Sequence, residues 1–169
     1  MEQEFLIDKL TNSIQNTVSG DSFQTEVIRF GNSDLKFLAK QKGWNFDWQK
    51  EFKDIKKEVY KLTIVNNSSV IQGLLSLSIE NGFIYINLLE SAPFNIGKRK
   101  LYEGVPGNLV AYACKLSFQK GFDGCVAFVA KSKLVSHYEQ TLGAYHFGSQ
   151  RMIIETKASR KLVEKYFKE

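Results

Sequence analysis

FIYINLLESAPFNIGKRK at 83–100, LYEGVPGNLVAYACKLSFQKGF at 101–122, DGCVAFVAK at 123–131 and SKLVSHYEQTLGAYHFG at 132–148 decide how this chain folds. The first piece opens on an apolar run with the character of a strand. Pro93 ends its ladder, because proline has no N–H to donate. A helix is predicted from about Pro106 to Gly121. Leu109, Ala113, Leu116 and Lys120 share one stripe of it, and Gly121 is its C-cap. The continuous apolar run CVAFVA (125–130) predicts a strand covered on both faces. A second helix runs from about Ser132 to Leu142 and stops at Gly143. The order is βαβα, with a turn bearing Gly104 and Gly107 where the first strand hands over to its helix.

Upstream, VYKLTIVN (59–66) alternates apolar and polar residues, and VIQGLLSLSI (70–79) follows a NNSS turn. Asn81-Gly82 then joins that second strand to the first strand of the quoted stretch. Asn-Gly between apolar runs is a strong hairpin signal, since both residues tolerate positive φ. An antiparallel meander that feeds a βαβ unit points to an α+β fold rather than a doubly wound parallel sheet. Further out, residues 3–18 place Phe5, Leu6, Leu10, Ile14 and Val18 near helical spacing, which predicts an amphipathic helix stopped by Gly20 and Asp21. FQTEVIRF (23–30) predicts a strand and GNSD (31–34) a turn. Trp44, Phe46 and Trp48 form an aromatic cluster, with Phe52 and Ile55 continuing at a helical step. Two readings of the cluster stand: packing for one edge of the core, or a wall over an acceptor site. RMIIET (151–156) predicts a last strand, and ASRKLVEKYF (158–167) a short amphipathic helix.

The chain has 169 residues, 43% hydrophobic and 24% charged, with a net charge of +5. These values suit one globular domain over 1–169 and an anionic ligand or partner. The Lys98–Arg99–Lys100 triplet reads as a solvated loop rather than a nucleic-acid patch. Cys114 and Cys125 have no metal-type spacing and read as small core residues, which accords with a reducing, cytoplasmic setting. No signal peptide and no membrane-spanning run are apparent.

The turn EGVPGNL carries the first chemical signal. Glycines there let the backbone approach a ligand closely, and the helix N-terminus beyond offers free N–H groups and partial positive charge to a phosphate. Neither GxxxxGK[ST] nor GxGxxG is present, so this is no Walker loop and no Rossmann fingerprint.

Meander, strand, glycine turn with helix, strand, and a helix ending in YEQTLGA: this order resembles the GCN5-related N-acetyltransferase (GNAT) superfamily over about 59–148. The resemblance implies a mixed, mostly antiparallel central sheet with helices on both faces. It also implies acetyl-CoA as cosubstrate, with no metal, and transfer of an acetyl group to a primary amine by direct attack. In that family the turn reads Q/R-x-x-G-x-G/A and its amides hold the pyrophosphate. Here Leu101, Gly104 and Pro106 take the three key positions, with Gly107 just beyond. Gly104, Val105, Gly107, Asn108 and Leu109 would hold the pyrophosphate, while the backbone at Leu88 and Leu89 would bond the pantetheine arm.

The resemblance gives Tyr138, in SHYEQTLGA, the place of the proton donor to the departing thiolate; packing on its helix face is the other reading. Glu90, at the end of the strand before the turn, would be a general base or an exposed strand-end acid. His137 and His146 lack a metal-type or triad partner. The acceptor amine is unspecified by the sequence. A small molecule, a protein or an aminoacyl-tRNA is compatible, as is a homodimer. The alternative within the same fold is a catalytically inactive CoA-binding or interaction module.

Overall fold

A computed structural model describes residues 1–11 and 13–167. The meander forms as the alternation dictates. Strand β4 (Thr25–Arg29) pairs antiparallel with β5 (Glu58–Ile64), β5 with β6 (Gly73–Ile79), and β6 with β7 (Ile84–Ser91). The Asn81-Gly82 hairpin is present, closed by Ile79 against Ile84, and Gly82 carries the positive φ.

Helix α3 (Val105–Gln119) leaves β7 through a short strand, β8 (Tyr102–Glu103), and delivers the chain to β9 (Val126–Ala130). Helix α4 (Val135–Leu142), strands β10 (Tyr145–His146) and β11 (Arg151–Ile154), and helix α5 (Thr156–Tyr166) complete this half. The large sheet runs β10-β11-β9-β7-β6-β5-β4, antiparallel apart from the β7/β9 pair and one further strand described below.

Two cores flank this sheet. Tyr60 and Leu62 of β5 turn towards α3, α4 and α5, together with Leu109, Tyr138 and Leu162. Val59 and Leu74 turn the other way, towards α1 (Leu35–Lys40) and α2 (Trp48–Lys53), where Trp48 is buried. The period of two along β5 thus sends alternate residues into different helix layers. The fold is α+β, with a mostly antiparallel sheet and helices on both faces. Between Ser76 and Leu77 the register with β7 slips, so Asn87 is an extra residue on β7. Such a bulge bends its strand and adds twist.

The helix predicted over 3–18 does not form, and Asn12 lies outside the described residues. In its place are β1 (Glu2–Gln3), an extended passage, and β2 (Ile14–Asn16), which joins β3 (Ser22–Phe23) and β8 in a small second sheet. Gln3, Phe5 and Ile7 are buried while Glu2, Glu4 and Leu6 are exposed, which is the period of a strand. Phe5 and Ile7 enter the α3-side core, and each buried side chain contributes about 2 kcal/mol. That tertiary gain exceeds the weak helical preference of a short segment. Val18, predicted on the apolar face of that helix, is 93% exposed. Helix α1 was not foreseen; it follows a 3-10 turn at Asn32–Asp34.

Candidate functional site

Strands β7 and β9 run parallel but pair only at Ile84–Val126 and Tyr85–Ala127. Beyond these residues they diverge, and the bulge at Asn87 falls where they part. The gap is a wedge opening towards the N-terminus of α3. Unpaired strand edges of this kind can take an additional extended strand or ligand.

The chain's own N-terminal segment lies there. Strand β1 pairs parallel with β9, Glu2 against Val129 and Gln3 against Ala130. The other edge of β9 is taken by β11 at the same Val129, so β1 stands on the β7 side. The Gln3 side-chain amide donates to the Asn87 carbonyl at 2.6 Å, bridging to β7 at its bulge, and Lys131 N–H donates to the Gln3 carbonyl.

The segment continues across the glycine turn. Gly104, with φ of 98°, supplies the left-handed conformation that begins α3. Its N–H donates to the Asp8 carboxylate at 3.0 Å, and Lys100 Nζ bonds the other Asp8 oxygen at 3.0 Å. A Cβ on Gly104 would meet Thr11 at 2.9 Å, and one on Gly107 would meet the Tyr166 hydroxyl at 2.0 Å. The Asn108 side chain donates to the carbonyls of Ser13 and Gly104. Residues 104–110 are all buried. Leu88 and Leu89 are buried too, on opposite faces of the sheet.

With the N-terminal segment in place, the positions that the resemblance gives to acetyl-CoA are taken. Gln3 to Phe5 fill the wedge that would take its pantetheine arm. Asp8 occupies the turn amide and the ammonium that would meet its pyrophosphate, and Tyr166 covers the glycine beyond.

Tyr138 projects from α4 into the same place. It is fully buried, and its hydroxyl donates to the Phe5 carbonyl at 2.6 Å. Its ring packs on Phe5 and Phe128. Burial, with a smaller contribution from Glu4, holds the phenol proton well above its ordinary range. Tyr138→Phe strands the Phe5 carbonyl without its donor. We expect a loss of about 1–2 kcal/mol, read as a lower urea midpoint at unchanged m-value.

Beside Tyr138, His137 Nε2 accepts the Ile7 N–H at 3.0 Å, so the ring must be neutral there. Burial lowers its pKa. Between that lowered native value and about 6.5, the unfolded histidine binds a proton that the native one does not. Stability is therefore complete above about pH 6.5 and falls as the pH drops below it. His137→Gln is expected to flatten this part of a curve of unfolding midpoint against pH.

Glu90 is also buried, at 5% exposure. Its carboxylate accepts from Asn45 N–H at 2.7 Å, Phe46 N–H at 3.3 Å and the Trp48 indole at 2.7 Å. It is no exposed strand-end acid: it anchors the aromatic loop. The aromatic cluster serves the packing role read from the sequence, and part of it also borders a cavity. Trp48 packs in the second core, and Phe46 lines a cavity of about 260 Å3 with Glu4, Phe5, Asp8, Glu90 and Lys100.

Cys114 is buried, and desolvation pushes its thiol up to about 12; Cys125 is free and also shifted up. Among the described residues no group of three or more His, Cys, Asp or Glu could hold a metal ion, and no helix is long and apolar enough to cross a membrane.

Sequence reasoning missed Gln3, Phe5, Asp8 and Asn87. Gln3 and Phe5 alternate inconspicuously in a stretch that also matches a helical stripe, and Asp8 is a single acid just beyond them. The bulge at Asn87 has no sequence mark of its own.

No family model matches the chain, and no curated protein matches its sequence. Solved structures do match. Spermidine N-acetyltransferase from Vibrio cholerae in complex with CoA and spermine superposes with a TM-score of 0.58 at 16% identity, covering 81% of this chain and 98% of that one. An acetyltransferase of the GNAT family from Staphylococcus aureus gives 0.52 at 11%, covering 78% and 99%. The ribosomal-protein-S18-alanine N-acetyltransferase from Escherichia coli gives 0.53 at 13%, covering 78% and 90%. At these identities the likeness is one of fold.

Proposed function

We propose that this chain, which has the fold of the GCN5-related N-acetyltransferases, is an acetyl-CoA-dependent N-acetyltransferase acting on a primary amine, with its donor wedge held shut by its own N-terminal segment. The observation that carries this reading is the parting of β7 from β9 at the Asn87 bulge, with the Gly104 turn at the mouth. Neighbours of the same fold bind CoA and acetylate amines, which supports the substrate class without naming the acceptor. Tyr138, which keeps its proton, and Glu90, which lines the cavity, remain the candidate proton donor and acceptor. Each is free only when its present partner moves: the Phe5 carbonyl for one, the Asn45–Trp48 loop for the other.

The test is thermal stability in millimolar acetyl-CoA, followed by thiol release with a panel of polyamine, peptide and aminoacyl-tRNA amines. A raised melting temperature and amine-dependent thiol release are expected. No shift, either in the native chain or in Asp8→Ala, would remove the reading.

The filled wedge favours a second reading: a non-catalytic interaction module in which the segment is a permanent part of the core. It predicts no acetyl-CoA binding by either protein.

A further inference from the structure

We infer that residues 2–8 are a built-in competitor of acyl-CoA, a strap that stands in for the ligand along the wedge and must leave before the ligand enters. The inference rests on the acetyltransferase reading above. Its chemistry follows the segment part by part. An acyl-CoA offers an extended arm with amide groups and, beyond it, a diphosphate. The strap offers an extended backbone on the free edge of β9, a side-chain amide on the Asn87 carbonyl of β7, and then a carboxylate. That carboxylate, Asp8, takes the two groups best suited to a phosphate: the Gly104 N–H at the opening of α3, and the Lys100 ammonium.

The remaining bonds explain why the strap stays in place. Phe5 accepts from Tyr138, Ile7 donates to His137, and the Lys9 carbonyl accepts from the Tyr166 hydroxyl. The strap is thereby tied to β7, β9, α3, α4 and α5 at once. Yet every second residue faces out: Leu6 is 57% exposed, and Glu4, also exposed, holds Lys131 at the surface. A ligand that reproduces its backbone bonds and its anion can replace it from the outer side.

The experiment uses the full chain with CoA as the probe. Titration calorimetry compares the native protein with Asp8→Ala and Gln3→Ala, and hydrogen exchange follows the peptides covering 2–8 and 104–109 with and without CoA. We expect CoA to speed exchange in 2–8 while protecting 104–109, and Asp8→Ala to tighten binding about tenfold, as one freed charge-assisted contact allows. Binding by Asp8→Ala when the native chain shows none would support the strap equally.

If CoA binds with exchange in 2–8 unchanged and equal affinity in all three proteins, the strap is no competitor, and the acetyltransferase reading survives. If none of the three binds CoA while circular dichroism shows them folded, both fall. Where a variant fails to fold, exchange in the native chain decides.

Discussion

Alanine at position 90 is expected to destabilise the fold by about 4 kcal/mol, among the largest effects of any single change at the site. The carboxylate of Glu90 takes two backbone N–H groups and the Trp48 indole, all close to the second core. A hydrogen bond to a charged group is worth about 1.5–3 kcal/mol, and each buried donor left without an acceptor costs about 1–3 kcal/mol. These contributions overlap, so the total lies below their sum. Glu90→Gln keeps an acceptor oxygen but turns an NH2 group towards a donor, and should cost about half as much. Urea unfolding measures both, and Trp48 emission should shift to longer wavelength as the loop loosens. A loss below about 1 kcal/mol for Glu90→Ala would mean that the loop does not depend on this carboxylate. The two roles of Glu90 separate in Glu90→Gln: a proton acceptor loses turnover in the folded fraction, whereas an anchor mainly loses stability.

Asp34→Ala is expected to cost about as much, 3–5 kcal/mol, by leaving the Lys61 ammonium buried without a counter-charge. Lys61 is 4% exposed on β5, facing the α1–α2 layer. Its ammonium is held by Asp34 and by the Ser68 carbonyl. The other Asp34 oxygen accepts the Gly31 N–H at 2.9 Å, closing the 3-10 turn before α1. The double variant Asp34→Ala with Lys61→Met removes both charges and should recover most of the loss. The recovery isolates the unpaired charge from the loss of the turn bond, which stays broken. If the double variant is no more stable than Asp34→Ala alone, the cost lies in the turn and not in the stranded ammonium.

Both cases depend on contacts far apart in sequence, and this separates what could be read from the chain alone. The meander, the helix after Gly104 and the helix ending at Gly143 were legible because each is written in local terms: alternation, a helical stripe, a glycine at positive φ. Tyr138 and Glu90 were legible as polar groups at telling places. Their partners were not. The Phe5 carbonyl that meets Tyr138 lies 133 residues away, and Glu90 meets a loop more than 40 residues upstream. No local pattern records such pairings.

The N-terminal segment marks the boundary most sharply. Phe5, Leu6, Leu10 and Ile14 satisfy a helical spacing, while Gln3, Phe5 and Ile7 satisfy that of a strand, and a few residues cannot arbitrate between the two. The open edge of β9 arbitrates. It is left free because β7 pairs with β9 only as far as Tyr85, and it rewards an extended chain with backbone bonds and buried apolar side chains. By itself, then, the sequence determined the order of the main elements from β5 to α5 and the position of the glycine turn, because propensity and periodicity act over a few residues. What lies in the wedge, and which groups the turn and Tyr138 are bonded to, was decided only by tertiary structure, because those partners meet only once the sheet has closed around them.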